Sequence, residues 1–332
     1  MSDPATFFNF FSTIKITKGF KRSVIQDLQN NNYYFINNGV YEIFSLSYLH
    51  SFEEISARYN GELDQELLKW FNWAEDIEFG RFCEYQNEFP SMSNDWHYPG
   101  SISNAIIDLS SRQGGKLPFK RIFNELDQLG CHTIEFRIFE QKFSATLLEL
   151  ILNDCQSSEI TGIEILIPYD LFSTQRFTKF NKVRRISVWG AFEAVKKQEN
   201  GIRISMTTQK IDSEQCCGVI SPNYFANNIS MYTESLHHNS CLNRKISIDG
   251  NGLIKNCPSM GNDFGSIDDT SLLDVVNKEE FKSMWKINKD SIESCNVCEF
   301  RYMCTDCRAF LSEPFTSKPF KCRYNPYDAV WS

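Results

Sequence analysis

Seven of the twelve cysteines in this 332-residue chain fall between Cys241 and Cys322, and their spacing is its most chemically informative feature. Ten residues separate Cys241 from Gly252, and four more precede Cys257; Cys295-Asn-Val-Cys298, five residues, Cys304-Thr-Asp-Cys307, fourteen residues and Cys322 complete the run. Thiolates are soft ligands for iron-sulfur clusters, zinc or copper(I), and two residues between a pair let one tight loop present both sulfurs to one site. The intervening KISIDGNGLIKN predicts a hairpin turning at Asp249 to Gly252, which brings Cys241 and Cys257 to one end. Zinc ribbons usually place about 15 to 20 residues between their CxxC pairs. Here only five lie between Cys298 and Cys304, and seven thiols exceed the four that one tetrahedral zinc uses. The spacing favours iron-sulfur chemistry, with one or two 4Fe-4S clusters as cofactors, and zinc stands as the alternative.

The remaining cysteines, Cys83, Cys131, Cys155, Cys216 and Cys217, are scattered, as small buried hydrophobes usually are. A net charge of −8 with 23% charged residues excludes the disordered class, and it lacks the basic excess that a nucleic-acid partner favours. The first residues, MSDPATFFNFF, carry no basic n-region, and no run reaches the ~18 apolar residues that span a bilayer. The expectation is a soluble, cytoplasmic protein with reduced thiols and no membrane partner. No phosphate loop, dinucleotide fingerprint, GxSxG or HExxH occurs, so ATP use by this chain itself is not expected.

The elements that must position the cysteines read as three parts. In residues 1–88, ITKGFKRSVIQDLQNNNYYFINNGVYEIF alternates apolar and polar residues and predicts short antiparallel strands, with Asn-rich turns after Leu28 and Ile36. SFEEISARYN, with Ser51 and Glu54 as a capping box, and DQELLKWFNWAEDIEF predict helices. Such a hairpin with helices suggests a small winged-helix-like module. EFPSMSNDWHYPGS, residues 88 to 101, reads as a linker. In residues 101–230, NAIIDLS, HTIEFRIF, GIEILIPYD, VRRISVWGAF and GIRISMTT predict strands, and LPFKRIFNELDQLG and SATLLELILNDCQS predict helices. This α/β alternation favours parallel strands, and so few units favour an open or partial α/β barrel over a complete eightfold one. Asp108 and Glu135 lie where a barrel places functional groups, although charged residues at strand ends are commonly just solvated. From about residue 230 the periodic signals thin out, so residues 231–332 are expected to be loop-rich and held by metal instead of by a core.

On these residues the C-terminal part resembles the SPASM domain, the auxiliary-cluster module of many radical S-adenosylmethionine peptide maturases. That domain's pattern is a cysteine, a glycine four residues before a second cysteine, then CxxCxxxxxCxxxC and a last cysteine. Cys241, Gly252, Cys257, Cys295, Cys298, Cys304 and Cys322 match it, whereas Cys307 departs by one residue. The resemblance implies that Cys295, Cys298, Cys304 and Cys322 hold one 4Fe-4S cluster and that Cys241, Cys257 and Cys307 serve another. The second set is one short, and His237, His238, Cys216, Cys217, solvent or substrate could complete it. CLNRKISIDGNGLIKNCPSMG and CEFRYMCTDCRAF look like the SPASM proteins of grasp-with-spasm systems, which implies two partners, a precursor peptide and an ATP-grasp ligase. It further implies a radical-SAM-like barrel over residues 101–230 and precursor recognition by residues 1–88. Physical reasoning adds a route for that recognition, since an exposed sheet edge accepts an extended peptide as a further strand. Tyr33, Tyr34 and Phe35 are candidates for its wall, or else they fill the module's own core.

One feature of the family is missing. The loop SRQGGKLPF after NAIIDLS has no cysteine, and CxxxCxxC occurs nowhere in the chain, so the usual reductive cleavage of S-adenosylmethionine is not expected. The reading is an iron-sulfur SPASM protein that acts in maturation of a ribosomally synthesised peptide, with its barrel degenerate and its own catalysis left open. The competing class is a non-enzymatic, zinc-stabilised module that escorts the peptide.

Overall fold

The computed structural model describes residues 6–113, 115–311 and 316–332. Residues 1–5 of the N-terminal stretch and Gly114 in the cysteine-free loop lie outside the described residues. Strands β1 (Phe7–Phe10), β2 (Ile14–Thr17), β3 (Ser23–Asp27) and β4 (Asn32–Ile36) come first. Helices α1 (Asn38–Ser47), α2 (Phe52–Arg58) and α3 (Asp64–Asp76) follow, and β5 (Gly80–Cys83) returns to pair with β1. The strands β2, β3 and β4 form an antiparallel meander, as the alternation predicts. The strand reading fails at GVYEIF, which lies in α1. Asn37, read as a turn residue, is instead an N-cap that accepts a hydrogen bond from Val40 N at 2.9 Å. Val40, Ile43, Phe44 and Ser47 then recur at helical spacing and are buried. The capping box at Ser51 and Glu54 forms as expected.

Residues 84–103 contain no helix or strand. After them come β6 (Asn104–Leu109), α4 (Phe119–Gln128), β7 (Thr133–Ile138), α5 (Ala145–Gln156), β8 (Gly162–Pro168), the single-turn α6 (Thr174–Phe177), β9 (Val183–Trp189), β10 (Val195–Glu199) and β11 (Ile202–Thr207). The chain continues through α7 (Ile229–His237), β12 (Lys245–Ile248) and β13 (Ile254–Lys255). Among the described residues these strands form an eight-stranded sheet in the order β10-β11-β9-β8-β7-β6-β12-β13. The run from β11 to β12 is parallel, and β10 and β13 pair antiparallel at the two ends. Strand β10, VKKQE, has no fully buried residue, which explains why no apolar pattern announces it.

The hairpin predicted over KISIDGNGLIKN is β12 and β13, and it belongs to this sheet, because β12 lies parallel to β6. Asp249 opens its turn and accepts from Asn251 N and Leu253 N, an Asx-type arrangement. Gly252 has φ of +82°, a conformation that a side chain resists, and this accounts for the glycine in the spacing. Contrary to the expectation of a coreless C-terminal part, Leu242, Ile246, Ile254, Ile267, Val275 and Phe281 join the same core as Phe136 and Ile165. The elements that hold Ile246, Ile254, Val275 and Phe281 run only two to six residues, too short for a readable period.

Successive strand residues face opposite sides, and the two faces of this sheet differ sharply. Ile107, Phe136, Ile165, Ile186 and Ile246 lie in the core with Ile122, Leu126, Leu148 and Ile151 of α4 and α5. The other side carries Asp108, Glu135, Arg137, Glu164, Arg185 and Lys245. Register sets Asp108 beside Arg137, and Glu135 beside Glu164, which in turn is beside Arg185. Asp108 is not a free acid, because Arg137 donates to it through Nε at 2.6 Å and Nη2 at 2.9 Å, with both residues buried. Breaking a buried bidentate pair leaves one charge uncompensated, whereas replacing both partners by apolar residues is often neutral. Asp108→Ala should therefore lower stability by about 3–5 kcal/mol, and the double variant Asp108→Leu/Arg137→Met should recover most of that loss in urea denaturation. Equal losses in both proteins would show that the ion pair is not what matters there.

Candidate functional site

The C-terminal cysteines are placed by short loops laid against the sheet and against the N-terminal meander. In CNVCEFRYMCTDC each loop tightens through backbone bonds, Cys298 N to Cys295 O at 3.0 Å and Cys304 N to Phe300 O at 3.0 Å. Cys322 enters from the far side of residues 312–315, which lie outside the described residues. The result is a cavity lined by Cys295, Cys298, Cys304 and Cys322 together with apolar Ile220, Phe225, Pro319 and Trp331. About 350 Å³ of space, its mouth included, is left unfilled by protein atoms.

Electrostatics shows the same gathering. Burial pushes the Cys295 thiol up to about 11 and Cys304 up to about 12, and Cys322 adds to both shifts. Cys298 is also held well above its ordinary value, first by burial and further by Cys304 and Cys295, while a backbone hydrogen bond at Phe300 works the other way. Lys289 is 4% exposed, and its Nζ donates to Cys304 O at 2.6 Å. Burial opposes its charge, but Asp306, Cys304 and Cys295 outweigh that cost.

A second gathering forms where the β12–β13 hairpin meets the loop after β11. Burial pushes Cys257 up to about 11, and Cys241 and Cys217 add to it. Cys307 is pushed up to about 12 by burial, with Cys241, Cys257 and Cys217 contributing. Backbone bonds at Ser259 and Ala309, each two residues after its cysteine, favour the thiolates. Cys217, which is itself exposed, lies within electrostatic reach of the three cysteines that the spacing left one short. The following residue explains its approach: Gly218 has φ of +78°, and a Cβ there would lie 2.8 Å from Cys307 Sγ. His238 packs its ring on Trp96, with centroids 5.9 Å apart, and its charge is disfavoured by burial, His237 and Arg244. Sequence spacing could not select Cys217 from Cys216, since adjacent cysteines differ only in the direction that the loop gives them.

Among the described residues no three His, Cys, Asp or Glu side chains close onto a point as a single ion requires. The donor sets do have the chemistry of a larger thiolate-ligated group. Each contains four cysteines, each includes backbone hydrogen bonds that favour thiolate, and each has a lysine ammonium whose charge is balanced partly by sulfur. The scattered Cys131 and Cys155 behave otherwise, as buried core residues.

The first set also touches the N-terminal module. Arg22 Nε donates to Glu299 Oε1 at 2.7 Å, and the guanidinium lies 3.5 Å from the centre of the Phe35 ring. Phe300 meets Phe35 and Tyr33 with ring centroids 5.6 and 6.4 Å apart, and Phe20 N donates to Val297 O at 2.8 Å. Tyr34, on the opposite face of β4, packs on Trp73 and Phe79 of its own module. The three aromatics therefore divide, with Tyr34 serving the module and its two neighbours meeting the cysteine loop.

No protein-family model matches the chain, and no curated protein matches it. Among solved structures, it is similar to Streptococcus suis SuiB bound to S-adenosylmethionine, with 12% identity and a TM-score of 0.33. It is also similar to SuiB of the same organism, with 11% identity and a TM-score of 0.34. A third similar structure is SuiB bound to the precursor peptide SuiA, with 11% identity and a TM-score of 0.29. Each alignment covers 91% of this chain and 96% of the other.

Glu234 of α7 gives the region a pH dependence. Its carboxylate accepts from Asn243 Nδ2 at 2.9 Å, and burial pushes it up to about 7. A carboxyl raised on folding contributes stability that is fully present below its ordinary value and is lost as pH rises through the folded value. Glu234→Gln keeps the acceptor and removes the charge. It should therefore be more stable than the parent by roughly 3 kcal/mol at pH 8.5 and nearly equal to it at pH 4.5. An equal difference at both pH values, measured by chemical denaturation, would contradict the assignment.

Proposed function

We propose that this chain is an iron-sulfur protein holding two 4Fe-4S clusters, one on Cys295, Cys298, Cys304 and Cys322 and one on Cys217, Cys241, Cys257 and Cys307. The observation that carries the reading is the division of eight cysteines into two sets of four. Bound clusters would supply one-electron transfer or Lewis acidity. The chain's own part is to exclude water around the sulfurs, donate backbone N–H groups to them and place lysine charges beside them.

The sequence resemblance places this chemistry in maturation of a ribosomally synthesised peptide, with a precursor peptide and an ATP-grasp ligase as partners. The missing CxxxCxxC motif supports a role without cleavage of S-adenosylmethionine. Strand β4 is an edge of its sheet, open to an added peptide strand, and the Arg22 to Glu299 contact joins that module to the first cysteine set. The polar face with Glu135 and Glu164 gives a second surface along which a peptide can lie.

After anaerobic reconstitution, Cys298→Ala and Cys217→Ala should each lose about four irons and the matching sulfide relative to the parent, the content of one cluster. Cys216→Ala should lose none. Stoichiometric zinc without iron would replace this reading by the zinc-stabilised escort.

Peptide recognition is tested without deleting the module, because deletion would also strip Arg22 and Phe35 from the cysteine loop. Tyr34 is 41% exposed beside the open edge. Tyr34→Ala should weaken calorimetric binding of a candidate precursor peptide by about tenfold, ~1.4 kcal/mol, with iron content unchanged. Undiminished binding would move recognition to the polar face of the large sheet.

A further inference from the structure

Lys245 stands out because its ammonium contacts a cysteine sulfur. It opens β12 four residues after Cys241, and its Nζ donates to Cys241 Sγ at 3.7 Å. The hairpin pairs Ser247 with Lys255 and Ile248 with Ile254. Continued two residues outward, that register sets Lys245 opposite Cys257. Partial burial opposes the ammonium charge of this half-buried residue, and the groups that restore it are Cys241, Cys257 and Cys217, with Glu135 after them. The other lysines in comparable places differ. Lys255, on the same hairpin, reaches the Asp249 carboxylate at 2.8 Å, and Lys289 beside the first set is balanced first by Asp306. Enclosing an ammonium is costly unless an anion lies beside it, and a neutral thiol is a poor partner. The position makes physical sense when the second set is anionic, as thiolates around a cluster are.

We propose that Lys245 is the fixed counter-charge of the second cysteine set and raises the reduction potential of the cluster held there. This rests on the cluster reading above. One-electron reduction, by an external donor such as dithionite, adds one negative charge to the cluster and needs no proton. A cation close to a ligating sulfur favours that more negative state, in surroundings that screen it less than bulk water does. Lys245 is therefore a positioning residue for charge, acting through Cys241 and Cys257.

The test uses the full chain, reconstituted anaerobically with iron and sulfide and titrated with dithionite while each cluster is followed by electron paramagnetic resonance. Lys245→Met and Lys245→Gln should keep the parent's iron content and move one of the two signals to lower potential. Lys245→Arg, which keeps the charge, should leave both in place. Full iron with unmoved potentials in both neutral variants would overturn the proposal. Should the neutral variants fail to load the second set, Lys245→Arg decides: loading in that variant supports the counter-charge, and equal failure overturns it. A parent chain that takes up no iron would overturn the cluster reading itself, a result seen before any lysine is changed.

Discussion

The constraint on which this structure depends is the burial of cysteine thiols near lysine ammoniums: Cys257, Cys295, Cys304 and Cys307 are buried, Cys241, Cys298 and Cys322 half-buried, and Cys217 exposed. Burial first, and neighbouring cysteines after it, hold Cys257, Cys295, Cys304 and Cys307 toward their neutral forms, while Lys289 is balanced first by Asp306 and Lys245 first by Cys241. These demands are reconciled if a positively charged metal core takes the sulfurs as thiolates and the lysines face the resulting anion. In that case metal binding and folding of the C-terminal loops are one event, because an unfolded chain has no preformed site.

The loops around the first set are braced by polar contacts, with Lys289 Nζ on Cys304 O and Asn239 Nδ2 on Asp306 Oδ2. Their apolar cluster is small, with Val24, Ile220, Phe300, Met303, Cys304 and Tyr324, and one of its members comes from β3 of the N-terminal module. Glu299, between Cys298 and Cys304, is bound by Arg22 and by the Tyr324 hydroxyl. A Cβ at Gly19 would lie 2.9 Å from Glu299 Cβ, so the module also approaches this loop closely through its backbone. Anything that reorders the cysteine loop therefore bears on the meander and on its edge strand β4.

The large sheet supplies the frame. A parallel sheet is usually apolar on both faces, yet here one face carries paired and unpaired charges. The Asp108–Arg137 pair uses two of them on each other, and Glu164 and Arg185 pair at 3.3 Å, with Glu135 beside them in one row across three strands. At its far side β12 carries Lys245, so the polar face and the second cysteine set meet at one residue.

The α/β alternation, the strands around Ile107 and Phe136, the capping box at Ser51 and the hairpin turn at Gly252 were all legible in the chain, because each is a local consequence of side-chain period or backbone preference. So was the chemistry of seven cysteines, since ligand type and spacing are written in order along the sequence. Helix α1 was misread where Asn37 could serve either a turn or a cap, and β10 was silent because an exposed edge strand needs no apolar face. Short elements after residue 230 concealed their share of the core for a similar reason, being shorter than the periods that reveal them. What only the tertiary structure decided was which distant groups meet: Gly218 with Cys307, Lys245 with the sulfur of Cys241 and the register position of Cys257, Asp108 with Arg137, and Arg22 with Glu299. These pairings depend on sheet order and loop direction, and a linear spacing carries neither.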